Sequence, residues 1–100
     1  MSEADDSAAF APPPFDAEAA LVQLRRSLRE LKLTERSSGF ELRGKRVIEV
    51  MLADGSVSVR LARRLMNTPE WDPQTIRSGA DQRKLLDEVR RRLERWLRED

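Results

Sequence analysis

Any catalysis by this chain must come from Asp, Glu, Ser or Lys, because histidine, cysteine and tyrosine are all missing from its 100 residues. The usual general bases and thiol nucleophiles are therefore excluded, as are His-ligated and thiolate-ligated metals. No G-x-G-x-x-G, G-x-x-x-x-G-K or G-x-S-x-G pattern occurs to cradle a phosphate or present a nucleophilic serine. The one carboxylate pair that strand pairing could bring together is Glu41 with Glu49. Two adjacent carboxylates raise the pKa of one of them, but Arg60 would flank Glu49, and solvent with guanidinium would cancel the effect. The expectation is a solvated charge row and no enzyme, with no cofactor, no metal and no small-molecule substrate.

Binding is the remaining chemistry, and arginine dominates it. Arg outnumbers Lys sixteen to three, and its planar fork suits phosphates and carboxylates better than an ammonium does. The net charge of +1 hides an asymmetry. Residues 1–20 carry five acids and no base, while nineteen basic residues face thirteen acids after position 20. A bacterial-like, GC-rich genome, whose codons favour Arg and Ala, is the simpler account of that excess, and charge alone does not name a nucleic-acid partner. Two surfaces follow. Val47, Met51, Arg60, Arg63, Arg64, Trp71 and Arg77 form a candidate surface for a protein partner or a second copy. Arg43, Lys45, Arg46, Arg63 and Arg64, with Arg77 and Trp71 beside them, form a candidate nucleic-acid surface. Trp71 reads first as a loop anchor and otherwise as a partner's hot spot or a base-stacking platform.

The element that must position these residues is KRVIEVMLADGSVSVRLA, Lys45 to Ala62. Asp54-Gly55 is a strong signal for a two-residue type I′ hairpin loop. It sets Leu52 opposite Val57, Val50 opposite Val59 and Ile48 opposite Leu61 on one face. Met51 with Ser58 and Glu49 with Arg60 then share the other, and a slip of one residue would destroy the separation. An earlier strand, Phe40 to Arg43, allows two registers. With Gly44-Lys45-Arg46 as the loop, Leu42 faces Ile48 and Phe40 faces Val50. With Gly44-Lys45 as a turn, Leu42 faces Val47 and Phe40 faces Glu49, leaving an exposed apolar patch. The first buries about 1.5–3 kcal/mol more per large side chain and is the expected one.

Helices flank the strands. Asp16 reads as an N-cap with Phe15 stapling onto Ala20, and Leu21, Leu24, Leu28 and Leu31 give an apolar stripe to about Lys32. Ser78 and Asp81 resemble a capping box before a helix from about Asp81 to Arg98. Its stripe is Leu85, Leu86, Val89, Leu93, Trp96 and Leu97. Asp87–Arg91, Glu88–Arg92 and Glu94–Arg98 are acid-first pairs on its outer side. Thr34–Gly39 reads as a polar connector. The stretch from Ala62 to Ser78 reads as a long loop, where Thr68-Pro69 and Asp72-Pro73 suggest short helical turns.

The expected fold is thus a single two-layer α+β domain over residues 16–100: helix, three-stranded antiparallel meander, long loop, helix, with both helices on one sheet face. Residues 1–15, acidic and containing Pro12-Pro13-Pro14, read as a disordered segment with a stiff polyproline spacer. Both meander edges would lie open, with Arg60 and Arg63 partly guarding the third strand, so self-association through an edge or the uncovered face is expected. The order of elements, with Arg83-Lys84 opening the last helix, is similar to that of double-stranded RNA-binding domains. The likeness is topological; the loop is longer, and Leu85, Leu86 and Val89 replace that family's alanine-rich helix pattern, so no function comes with it. The absence of cysteine, of any apolar run near 18 residues and of a basic N-terminus points to a cytoplasmic protein without a membrane partner.

Overall fold

The computed structural model describes residues 14–99, so all of the expected N-terminal spacer except Pro14 and Phe15 lies outside the described residues. Helix α1 spans Ala17–Glu30 and α2 spans Gly79–Arg98. Between them run β1 (Thr34–Arg36), β2 (Gly39–Leu42), β3 (Lys45–Ala53), β4 (Ser56–Ala62) and β5 (Trp71–Ile76). The five form one antiparallel sheet in sequence order. The class is α+β as expected, but the sheet has five strands where three were read.

The central hairpin pairs as its alternation dictates. Ile48 faces Leu61, Glu49 faces Arg60, Val50 faces Val59, Met51 faces Ser58 and Leu52 faces Val57. Five of its six inward side chains are buried, while Leu52, near the turn, is 45% exposed. The turn itself differs from the expected type I′: Gly55 takes a positive φ of 71°, but Asp54 does not enter the left-handed region. The positive-φ pair is Arg43 (55°) with Gly44 (79°), and these two residues join β2 to β3.

That shift corrects both expected registers of the first strand. Leu42 pairs with Lys45 and Glu41 with Arg46, then a bulge intervenes and Phe40 pairs with Ile48. The residue gained by the bulge is Val47. A bulge re-aims a side chain out of strict alternation, and Val47 and Ile48 are both fully buried as a result. Val47 therefore belongs to the core and not to an outer surface. Phe40 is also fully buried, and Leu42 packs half-buried against the same core.

Both outer strands lie where loops were expected. The polar connector folds into β1, which returns through Ser37-Ser38 to pair Arg36 with Gly39 and Thr34 with Glu41. In the long loop, Trp71–Ile76 pairs with β4 from Val57 to Ala62, with Pro73 opposite Arg60. Proline is tolerated there because β5 is an edge strand, whose outward side needs no N–H donor. The Asp72-Pro73 helical turn is thus replaced by strand, and the β4 edge expected to be open is covered.

The helix ends are built from local hydrogen bonds. Asp16 caps α1 by accepting from the Ala19 N–H at 3.1 Å. At the other end the Leu33 and Lys32 N–H groups donate to the Leu28 and Arg29 carbonyls. This is a Schellman closure with Lys32 at φ 70° in the position glycine prefers. Ser78 caps α2 by accepting from the Asp81 N–H at 3.1 Å, but the Asp81 carboxylate accepts from the Arg77 N–H, one residue before the expected reciprocal partner. Leu24 and Leu28 of α1 and Leu85, Val89 and Trp96 of α2 share one core with the inward side chains of β2 to β5. No described helix is long and apolar enough to cross a membrane.

Candidate interaction face

The side of the sheet turned away from this core carries a row of charge. Arg46 donates from Nε to Glu49 at 3.0 Å and from a terminal nitrogen to the Arg36 carbonyl at 3.2 Å. Its guanidinium lies over Gly39, where a Cβ atom would stand 2.7 Å away. On the other flank Arg60 grips Glu49 through both Nε and a terminal nitrogen. The Arg60 guanidinium carbon also stands 5.0 Å from the centre of the Trp71 ring. Trp71 is therefore half-buried at the start of β5, with a cation on its indole, consistent with an anchor. Partial burial pushes the Glu49 carboxyl up, but the hydrogen bonds and charges of Arg60 and Arg46 outweigh it and hold the group below its usual range.

The bulge also removes the one catalytic arrangement the strands allowed. Glu49 lies opposite Gly39 and Glu41 opposite Arg46, so the two carboxylates are not paired across the ladder. Among the described residues no three acidic side chains gather closely enough to hold a metal ion.

Beside the charge row the face turns apolar. Met51 is 67% exposed, and next to it lies a depression of about 220 Å³ lined by Ser38, Glu49, Val50, Met51, Ser58 and Arg60. It exists because β2 ends early. Gly39 is the last residue paired with β3, and the Val50 N–H makes one more bond to the Ser38 carbonyl at 2.9 Å. From Met51 to Ala53 the β2 side of β3 has no strand partner among the described residues.

The basic candidates gather elsewhere, at the end of the sheet where β4 stops and α2 finishes. Arg63 binds Asp72 at 2.7 Å and Glu70 at 3.7 Å, and Arg64 lies 3.9 Å from Glu99. Arg92 reaches Asp72 at 2.9 Å and Glu88 at 2.7 Å, and Glu99 also accepts from the Leu65 N–H. A basin of about 410 Å³ opens among Arg63, Arg64, Met66, Glu70, Asp72, Arg92, Arg95 and Glu99. Its charges answer one another. The Arg63 hydrogen bond holds the Asp72 carboxyl below its usual range, and Arg92 with Arg91 does the same for Glu88. Arg43 donates to the Leu97 carbonyl at 3.2 Å, and Lys45 opens β3 nearby.

No known family matches the chain, and neither does any curated protein or solved structure.

The structure thus splits the expected surfaces. Met51, Arg60 and Trp71 share the uncovered face; Arg63 and Arg64 sit at the end of the sheet; Arg77 is exposed between β5 and α2. Arg46, expected among nucleic-acid contacts, belongs to the charge row of the sheet face. Sequence reasoning missed Gly39 and Ser38, whose roles depend on where β2 ends. It also missed Arg92 as the partner of Asp72, because only a fifth strand brings the two together. Of the three pairs expected along α2, only Glu88–Arg92 forms among the described residues; Asp87 pairs with Arg90 instead.

Proposed function

We propose that the chain is a small non-catalytic interaction module that binds a short protein segment on the sheet face its helices leave uncovered. The observation that carries this reading is Met51, a large side chain 67% exposed beside an apolar depression on an otherwise charge-satisfied face. A large exposed apolar side chain bordering a depression on a polar surface offers an anchor point for a partner. Four inter-strand spacings of ~4.8 Å and strands of about six residues give a face of roughly 400 Å². A standard interface takes about 800 Å² from each partner. The size therefore favours a short segment over a stable homodimer through this face.

Peptides carrying a single aromatic residue, titrated against the isotope-labelled full chain, test the reading. Saturable shifts at Glu49, Met51, Ser58 and Arg60 are expected, and Met51→Asp abolishes them while leaving the circular dichroism unchanged. Shifts mapping to the helices, or none at all, would remove the proposal.

One observation supports nucleic-acid binding as a second reading: Arg43, Lys45, Arg63 and Arg64 lie toward one end of the sheet. Against it, Arg63 and Arg64 face Asp72, Glu70 and Glu99. Phosphate binding would show as retention of RNA or DNA that falls steeply with salt and weakens in Arg63→Ala/Arg64→Ala.

A further inference from the structure

We propose that the outer flank of α2 binds the phosphate backbone of duplex nucleic acid, without reading its bases, through a straight row formed by Lys84, Arg91, Arg95 and Arg98. This is the chemistry of the nucleic-acid reading on a surface separate from Arg63 and Arg64.

The row follows from helical geometry. At about 100° per residue the four positions fall within about 60° of one another, and they span about 21 Å of helix axis. All four are exposed. No acid of α2 falls inside that sector; Glu88 and Asp87 flank it. Beyond Asp87, Arg83 and Arg90 are matched in number by Asp87 and Glu94, so the adjoining strip is neutral. The positive charge is concentrated on one line.

Internal pairing does not cancel it. Asp87 turns to Arg90, away from the row. Glu88 is divided between Arg91 and Arg92, and Glu99 between Arg95 and Arg64. Lys84 and Arg98 meet no carboxylate among the described residues. Two shared carboxylates therefore stand against the four cations, with Arg92 and Arg64 drawing on the same two.

A line of cations held rigid by a helix complements a rigid linear polyanion. A duplex carries one charge per ~1.7 Å of its axis, so about twelve phosphate charges pass along the row. Three of the four residues are arginines, whose planar fork suits phosphate oxygens. Other polyanions fit less well. Single strands are held by stacking on aromatic side chains, and the row has none: Trp96 is fully buried, and Trp71 lies against Arg60 on the sheet face. Docking on a charged lipid surface needs apolar side chains beside the cations. Leu97, the one large apolar residue exposed on α2, lies about 100° beyond the edge of the row.

Fluorescence anisotropy of a labelled mixed-sequence DNA duplex, titrated with the full-length chain at several salt concentrations, tests the row. Four phosphate contacts give a slope of log affinity against log salt of about −3.6, a loss of about 150-fold between about 50 and 200 mM. Lys84→Gln/Arg91→Gln/Arg98→Gln is expected to flatten the slope to about −1, with an unchanged thermal midpoint showing that the fold is kept. Ala80 is exposed and in line with Arg98, so Ala80→Lys adds a fifth base and is expected to steepen the slope to about −4.5. No binding near 50 mM salt, or a wild-type slope in both variants, overturns the row. Flattening in Arg63→Ala/Arg64→Ala alone would also overturn it, while leaving nucleic-acid contact at the end of the sheet. Tighter binding of a single strand of the same sequence, or displacement of the duplex by polyglutamate at equal charge concentration, would assign the row to another partner and overturn the duplex.

Discussion

Arg92, with only 12% of its side chain exposed, meets the Asp72 carboxylate at 2.9 Å and so ties the middle of α2 to the edge strand β5. The same guanidinium donates to the Ala62 carbonyl at 3.3 Å, where β4 ends, and to Glu88 one turn back on its own helix. One side chain therefore joins helix, fourth strand and fifth strand. Arg63 holds the other side of Asp72, and Arg95 reaches the Arg63 carbonyl, closing the loop between β4 and β5 over the helix end.

Replacing Asp72 with Asn should loosen β5 selectively. The substitution keeps the shape but removes the charge that compensates a mostly buried guanidinium, which is the costly half of such a pair to lose. Native-state hydrogen exchange should show faster exchange of the β5 amides, while the amides that β3 and β4 share keep their protection. Uniform acceleration across the sheet would mean the link does not act locally.

How much of this was legible follows from where the information lies. The register of β3 with β4 could be read because alternation and the Asp54-Gly55 loop agree over six residue pairs. β5 could not, because WDPQTI carries a proline and buries only Ile76 fully. Its identity as a strand comes from the β4 ladder and from Arg92, both distant in sequence. β1, Thr-Glu-Arg, has no fully buried side chain; it is held by pairing with β2 and by Glu35, which meets Arg29 of α1 at 2.7 Å and Arg25 at 3.5 Å. The interaction face was half visible: Met51 and Arg60 follow from alternation, but Val47 moved inward because no sequence pattern announces the bulge at Phe40/Glu41. The uncovered depression depends on where β2 stops, which the Ser37-Ser38 turn decides.

Trp96 is the anchor of the core end, fully buried with its Nε1–H donating to the Ala62 carbonyl at 3.2 Å. Trp96→Phe keeps an aromatic ring but removes part of the volume and the donor, and should cost about 1–3 kcal/mol. Urea unfolding checks this through a lower midpoint at constant slope. Trp71→Phe is expected to cost less, since Trp71 is only half-buried.

Lys32 closes α1 in the left-handed region, which strains any residue with a Cβ atom by about 1–2 kcal/mol. Lys32→Gly relieves that strain and gives back part of it as unfolded-state entropy, so a net gain of about 0.5–1 kcal/mol is expected. The thermal midpoint should rise. A fall would show that the exposed lysine makes a contact worth more than the backbone relief.

Gly39 is required for a different reason. Its φ is unremarkable, but a Cβ there would stand 2.6 Å from the Ile48 carbonyl and 2.7 Å from the Arg46 guanidinium. The guanidinium can swing away; the carbonyl of the central strand cannot. Gly39→Ala should therefore destabilise by about 1–3 kcal/mol and disturb the amide resonances around Arg46 and Glu49 most. A neutral outcome would mean β2 can shift outward without cost.

Acid should unfold the protein through three carboxylates whose pKa values lie below their ordinary ones: Glu49, Asp72 and Glu88. A depressed folded-state pKa adds stability above the unfolded-state value, and that contribution is lost as pH falls through the folded-state value. With no histidine, no side chain has its ordinary pKa between about pH 5 and 8. Thermal midpoints should therefore stay level from about pH 5.5 to 8 and decline below about pH 4.5. Glu49→Gln mimics the protonated carboxyl between Arg46 and Arg60, so it should be less stable than wild type at neutral pH and draw level with it in acid. A gap of the same size at pH 7 and pH 3 would show that Glu49 acts through packing, and that the charge row contributes nothing to holding the face in shape.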